Sequence, residues 1–179
     1  MYRLNMNHFF SIFILAAPCN CATAPSTPQQ SRPQVAFTGT LSSSLSSLTT
    51  STLLNFNGDI VNEGQPYDFR YDRFIAPVSG LYAFSLATYL DPDNDVYMEL
   101  MQDASSIMYV KHGHIKDRTY DRLLNMGTNA IVVNITKGTE IWPRYAGGSA
   151  KLQGDGIPTF SGVLLQELTA HETERTLHM

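Results

Sequence analysis

Residues 74 to 86 read FIAPVSGLYAFSL, a Pro and a Gly followed by an alternating run rich in aromatics. From Gly80 onward, Tyr82, Phe84 and Leu86 fall on one face and Leu81, Ala83, Ser85 and Ala87 on the other. That period of two marks a strand, not a helix. No charge appears until Asp91, so both faces are expected to be covered and the strand to be central, away from a sheet edge. The large face is expected to meet the core, which leaves the small face for another sheet, a helix or another subunit.

The stretch is the end of a longer ladder. Five residues separate Phe56 from Asn62, four separate Asn62 from Tyr67, six separate Tyr67 from Phe74 and five separate Phe74 from Gly80, with Tyr82 and Phe84 completing it. This spacing resembles the signature of the C1q globular domain, the module at the tips of complement C1q and of many secreted relatives that share a jelly roll with tumour necrosis factor. One departure is Leu86, where the family usually has Phe or Tyr; the site stays apolar. Val35-Ala36-Phe37 resembles the family's opening strand, Lys137-Gly138-Thr139-Glu140-Ile141-Trp142 the late turn, and Phe160 to Leu165 the closing strand. The resemblance thus covers Gln34 to Leu168. It implies an all-β, ten-stranded antiparallel jelly-roll sandwich that assembles as a non-covalent homotrimer.

A chain of 179 residues favours one domain, and a domain of about this size buries roughly 68–70% of its unfolded surface, enough for a core without staples. A net charge of −4 provides no basic footprint, so neither nucleic acid nor an anionic membrane surface is an expected partner. Residues 1–24 read as a targeting segment: Arg3 is the positive region, Phe9 to Ala17 (FFSIFILAA) is apolar, and small residues follow. The apolar run is too short to span a bilayer, and secretion is expected. Cleavage after Cys19, Cys21 or Ala22 fits the pattern, with the leader bounded at residues 1–21.

Both cysteines, Cys19 and Cys21, lie in that cleavage zone, so the folded domain contains no internal disulfide. Were Cys21 retained, it would allow a bridge between N-terminal tails. Residues 22–33 (ATAPSTPQQSRP) are a linker with almost nothing to bury, and no Gly recurs every third residue, so a collagen-type stalk is not expected. The globular domain is bounded at 34–168, with a frayed tail at 169–179.

Within the domain, Ser42 to Thr52 reads as an irregular Ser/Thr-rich excursion. Val96, Met98 and Leu100 alternate with Tyr97, Glu99 and Met101, and Ile107 to Lys111 is the expected pairing partner. Ile131, Val133 and Ile135 alternate with Val132, Asn134 and Thr136 before the Lys137-Gly138 turn. Gly147-Gly148 and Gly154-Asp155-Gly156 read as loops.

No nucleophile elbow, glycosidase carboxylate pair, phosphate-cradling loop or dinucleotide fingerprint is present, so no catalytic residue is assigned and no enzyme is expected. Asp91, Asp93, Asn94 and Asp95 (DPDND), followed by Glu99, crowd oxygen ligands of the kind that calcium takes, and some family members bind calcium. A solvated hairpin tip is the plainer reading, and no cofactor is otherwise expected. His112 and His114 share a face if extended but lack a third ligand. Trp142 and Tyr145, with Arg144 as donor, suit a sugar-stacking platform; the alternative, which the family's aromatic at this strand favours, packs Trp142 into the sandwich.

The resemblance leaves two functions open. One is a secreted recognition protein of innate immunity, lectin-like, binding extracellular glycans or proteins or microbial surfaces. The other is a hormone-like or matrix ligand of a protein receptor. Specificity in the family lies in loops, here Asp91–Asp95, Lys111–Arg118 and Gly147–Gly156. The trimer interface is expected on Leu81, Ala83, Ser85 and Ala87 with Val163 and Leu165, which alternate away from Phe160, Gly162 and Leu164. Asn134-Ile135-Thr136 is an N-glycosylation acceptor on the outward face of its strand, and in the family that strand lies in the sheet nearest the trimer axis.

Overall fold

The alternating stretch forms β6 (Gly80–Leu90), with Tyr82, Phe84 and Leu86 buried and Leu81, Ala83, Ser85 and Ala87 half-buried on the opposite face. The computed structural model describes residues 33–90, 95–112, 125–149, 151–152, 154, 156 and 158–168, all within a unit spanning Arg32–Met179. The leader with Cys19 and Cys21, the linker up to Arg32, Asp91, Asp93, Asn94, His114 and the tail 169–179 lie outside those residues.

Two five-stranded antiparallel sheets make a sandwich. The first runs in the order β3 (Gly58–Glu63), β1 (Ala36–Thr40), β12 (Thr159–Glu167), β6, β9 (Asn125–Ile135). The second runs β4 (Tyr67–Asp68), β5 (Arg73–Ile75), β10 (Glu140–Gly148), β7 (Val96–Gln102), β8 (Ser105–His112). The opening and closing strands therefore lie side by side, Phe37 opposite Gly162, and close the domain. The expected pairing of β7 with β8 is present, Met98 opposite Val110. β9 turns into β10 through Lys137-Gly138, where Gly138 sits at φ +86°, a conformation that favours glycine.

The space between the sheets is filled by aromatic rings from both. Phe37 stacks on Tyr67 with centroids 4.0 Å apart, and Phe160 meets Phe37 edge-on at 5.6 Å. Phe74 of the second sheet stands edge-on to Phe84 at 5.0 Å and to Tyr82 at 5.7 Å in the first. Such pairs add about 0.5–1.5 kcal/mol each beyond the area they bury. Gly162 faces inward between two of the rings: a Cβ there would come within 2.6 Å of Phe84 Cε1 and 3.1 Å of Phe74 Cε2.

Two elements differ from expectation. Leu45–Ser46 (β2) leaves the irregular excursion to pair with Lys151–Leu152 (β11) in a small ribbon. Gly147 and Gly148 are not loop residues but end β10, where the register shifts between Tyr145 and Gly147 in a bulge. β6 is flanked by β12 and β9 as a strand inside the sheet, yet only its aromatic face meets the core; among the described residues no other layer lies on its small face.

Candidate functional site

The cross-strand register assembles the outer face of the first sheet row by row. Ala83 lies between Val163 of β12 and Val132 of β9, Val163 lies opposite Ala36 of β1, and Ala36 opposite Glu63 of β3, so one row reads Glu63, Ala36, Val163, Ala83, Val132. The next row reads Val61, Thr38, Ser161, Ser85, Ala130, with the Thr38 hydroxyl donating to Ser161 Oγ at 3.0 Å. Ala87 lies opposite Thr159 and Thr128 at one end, and Leu81 opposite Gln166 and Asn134 at the other. Leu165 is the extra residue of a bulge between Leu164 and Gln166.

Val132 is 57% exposed, Val163 41% and Leu165 51%. With Val61, 42% exposed, and Leu81 they are the large apolar side chains on a face whose middle rows are otherwise Ala, Ser and Thr and whose ends carry the polar Glu63, Asn134 and Gln166, so its centre is low and apolar and allows another backbone to approach closely. The structure thus brings Leu81, Ala83, Ser85, Ala87 and Val163 onto one surface, with Leu165 exposed at its end. Val132, Ala36 and Val61 belong to the same surface and were missed. The signal for Val132 was present: Ala130 to Val133 is apolar at every position, so both faces of β9 shed water, as in a strand covered on both sides.

The signature residues do different work. Phe56, Tyr67, Phe74, Gly80, Tyr82 and Phe84 are all buried. The Tyr82 hydroxyl donates to Val78 O at 2.9 Å, and burial pushes its pKa up to about 12. Burial likewise raises the Tyr67 hydroxyl, which accepts from Phe56 N–H at 3.4 Å. Gly80 admits no side chain, because a Cβ would lie 2.6 Å from Gln166 O of the neighbouring strand. Asn62 is a polar clip: its Nδ2 donates to Tyr67 O and its Oδ1 accepts from Tyr67 N–H, both at 3.1 Å.

Other candidates separate. Trp142 and Tyr145 form no platform, because three residues along a strand place them on opposite faces. Tyr145 is buried, its hydroxyl bonded to Gly148 O at 2.8 Å. Trp142 does not enter the sandwich core either: it sits on the outer face of the second sheet with the Arg73 guanidinium 4.4 Å from its ring centroid. Arg144 is occupied by Glu99, donating to Oε2 from Nε at 2.9 Å and Nη2 at 2.7 Å. Of the calcium candidates only Asp95 and Glu99 are described; Asp95 receives the Tyr97 hydroxyl at 3.4 Å. Among the described residues no group of three or more His, Cys, Asp or Glu is placed to hold a metal. His112 ends β8 opposite Val96. No helix among the described residues is long and apolar enough to cross a membrane.

The outlines agree with known proteins. Complement C1q tumor necrosis factor-related protein 3 of Homo sapiens is 28% identical over 135 residues, covering 75% of this chain and 52% of the relative. The Mus musculus protein of the same name matches equally, so the chain spans about half the length of these relatives. Among solved structures, the globular domain of zebrafish complement 1qA protein superposes with a TM-score of 0.59 at 16% identity, covering 75% of this chain and 99% of that one. The Eiger TNF from S. frugiperda superposes with a TM-score of 0.58 at 14% identity, covering 77% and 96%. Both show the fold, a C1q- and TNF-like jelly-roll sandwich. Residues 36–165 match the model of the C1q domain, a span that holds the whole ladder from Phe56 to Phe84 and the strands around it, and the chain belongs to the C1q domain family.

Proposed function

We propose that the protein is a secreted recognition module that works as a homotrimer, its three heads binding extracellular or microbial surface ligands in the manner of a lectin. The observation that carries this is the flat apolar face around Ala83, with Val132, Val163 and Leu165 exposed on it or at its end. A monomer would leave that face in water, whereas copies of the same chain bury it, and a permanent interface of this kind covers roughly 2,000 Å² or more. Members of the family typically form trimers, and the family is non-enzymatic, so the loops at the sandwich rim serve to bind. The leader pattern of residues 1–21 supports an extracellular location.

Sedimentation equilibrium of bacterially produced protein at micromolar concentration tests the assembly. A trimer is expected, with tight binding to a surface coated in polysaccharide and weak binding to the free oligosaccharide. A clean monomer would remove the interface and the avidity together.

A receptor ligand is the second reading, and it has an observation of its own. The β4–β5 connection presents Phe69, 41% exposed, and Tyr71, 62% exposed, on either side of Arg70. Aromatics and Arg dominate hot spots between proteins. A glycan array with no signal, alongside capture of a cell-surface protein that Tyr71→Ala abolishes, would favour it over the first.

A further inference from the structure

We propose that Asn134 carries an N-linked glycan, and that this glycan and a neighbouring copy compete for one sheet face, so that glycosylated chains are held as monomers. The competition rests on the trimer reading above; the modification does not.

Asn134-Ile135-Thr136 is the single acceptor sequence in the chain. Asn134 is exposed near the end of β9 while Ile135 behind it is buried in the core. Thr136 is exposed beyond the strand, its Oγ1 3.1 Å from Thr139 Oγ1 in the turn at Lys137-Gly138. Transfer forms a bond from Asn134 Nδ2 to the anomeric carbon of an oligosaccharide carried on a lipid pyrophosphate. The anomeric C–O bond breaks, the pyrophosphate leaves with the electron pair, and the amide proton passes to a base of the secretory-pathway transferase. That reaction takes place on the extended chain, so the fold must accommodate the product afterwards. An inward Asn would drag hydrated sugar into the core; Asn134 points the other way.

It points onto the assembly face. Asn134 lies directly opposite Leu81, and two residues along β9, about 7 Å, stands Val132 in the row of Ala83 and Val163. A branched, hydrated sugar rooted there holds off the close contact that a flat face of Ala and Ser otherwise allows.

The full chain, secreted from a eukaryotic cell line, is separated by size and each fraction treated with N-glycosidase. The expected result is a monomer fraction that loses mass and a trimer fraction that does not. Asn134→Gln and Thr136→Ala are both expected to lose the monomer fraction, whereas Thr136→Ser, which keeps the acceptor, behaves as the wild type. No mass loss in any fraction would overturn the modification, and equal loss in monomer and trimer would overturn the competition. If Asn134→Gln and Thr136→Ala stay monomeric, the competition and the trimer reading fail together, while mass loss from the wild type still separates out the modification.

Discussion

Asn62 is the one polar member of a ladder otherwise made of rings and a glycine, and its two bonds explain it. The residues between Asn62 and Tyr67 turn through Gly64 and Gln65, both at positive φ, and Gln65 N–H donates to Asn62 O at 3.1 Å. With the Asn62 carboxamide holding both Tyr67 N–H and Tyr67 O, the turn is closed and the Tyr67 ring is delivered onto Phe37. Asn62→Ala leaves two backbone groups of a buried residue without partners, so a loss of about 2–3 kcal/mol is expected. Asn62→Asp keeps the acceptor and loses the donor, and should fall between. Urea unfolding midpoints check this; an unchanged midpoint in Asn62→Ala would mean that water replaces the clip at no cost. The spacing of such residues was legible in the sequence, but the bonds were not, since a side-chain contact to the backbone leaves no periodic trace. Trp142 makes the same point from the other side: its alternation with Ile141 and Pro143 was readable, whereas Arg73 over its ring comes from a strand distant in sequence.

At the scale of the strand, β6 was legible because a residue every second position is large and apolar for three repeats, and the structure places Tyr82, Phe84 and Leu86 in the core accordingly. Leu86, which departs from the family's aromatic, is fully buried, so its site wants an apolar volume more than a ring. Phe84 is the hinge of the packing: it meets Phe74 edge-on at 5.0 Å, stacks near Phe160 at 6.2 Å and Tyr82 at 6.0 Å, and lies over Gly162. Phe84→Ala removes all three ring contacts and leaves a cavity between the sheets, for which about 3–5 kcal/mol of destabilisation is expected. A soluble variant with an unchanged melting temperature would show that the rings do not hold the sandwich. The β2–β11 ribbon was beyond reading. Two residues a side show no alternation, and its position is set by Leu152 entering the core and by Gly154 N–H donating to Ser44 Oγ at 3.1 Å. The glycine pair at 147–148 misled because glycine serves loops and bulges alike.

At the scale of the molecule, the sandwich offers two outer faces of different character. The second sheet carries Arg73 on Trp142, Arg144 on Glu99 and Lys111 5.1 Å from the Tyr97 ring, a face whose charges are occupied within the chain. The first carries Ala, Ser, Thr and Val in register across the middle of five strands, and that difference is the reason for placing the proposed contact with another copy on the first face. Ala83 is at its centre, flanked by Val163 and Val132, and points away from the core between Tyr82 and Phe84. Ala83→Arg therefore places a charge where it is hydrated in the monomer but buried without a partner in the trimer, where an unpaired charge costs at least several kcal/mol. The fold should survive, with an unfolding midpoint close to that of an equally monomeric wild type at high dilution, while sedimentation at micromolar concentration gives monomer in place of trimer. Three tethered heads raise the affinity for a repetitive surface by about 10²–10⁴ through effective concentration alone. Ala83→Arg should forfeit that factor on a coated surface and keep the wild-type affinity for a free, monovalent ligand, because the loops at the rim are untouched. If it binds the coated surface as tightly as the wild type while remaining monomeric, recognition does not depend on three heads acting together.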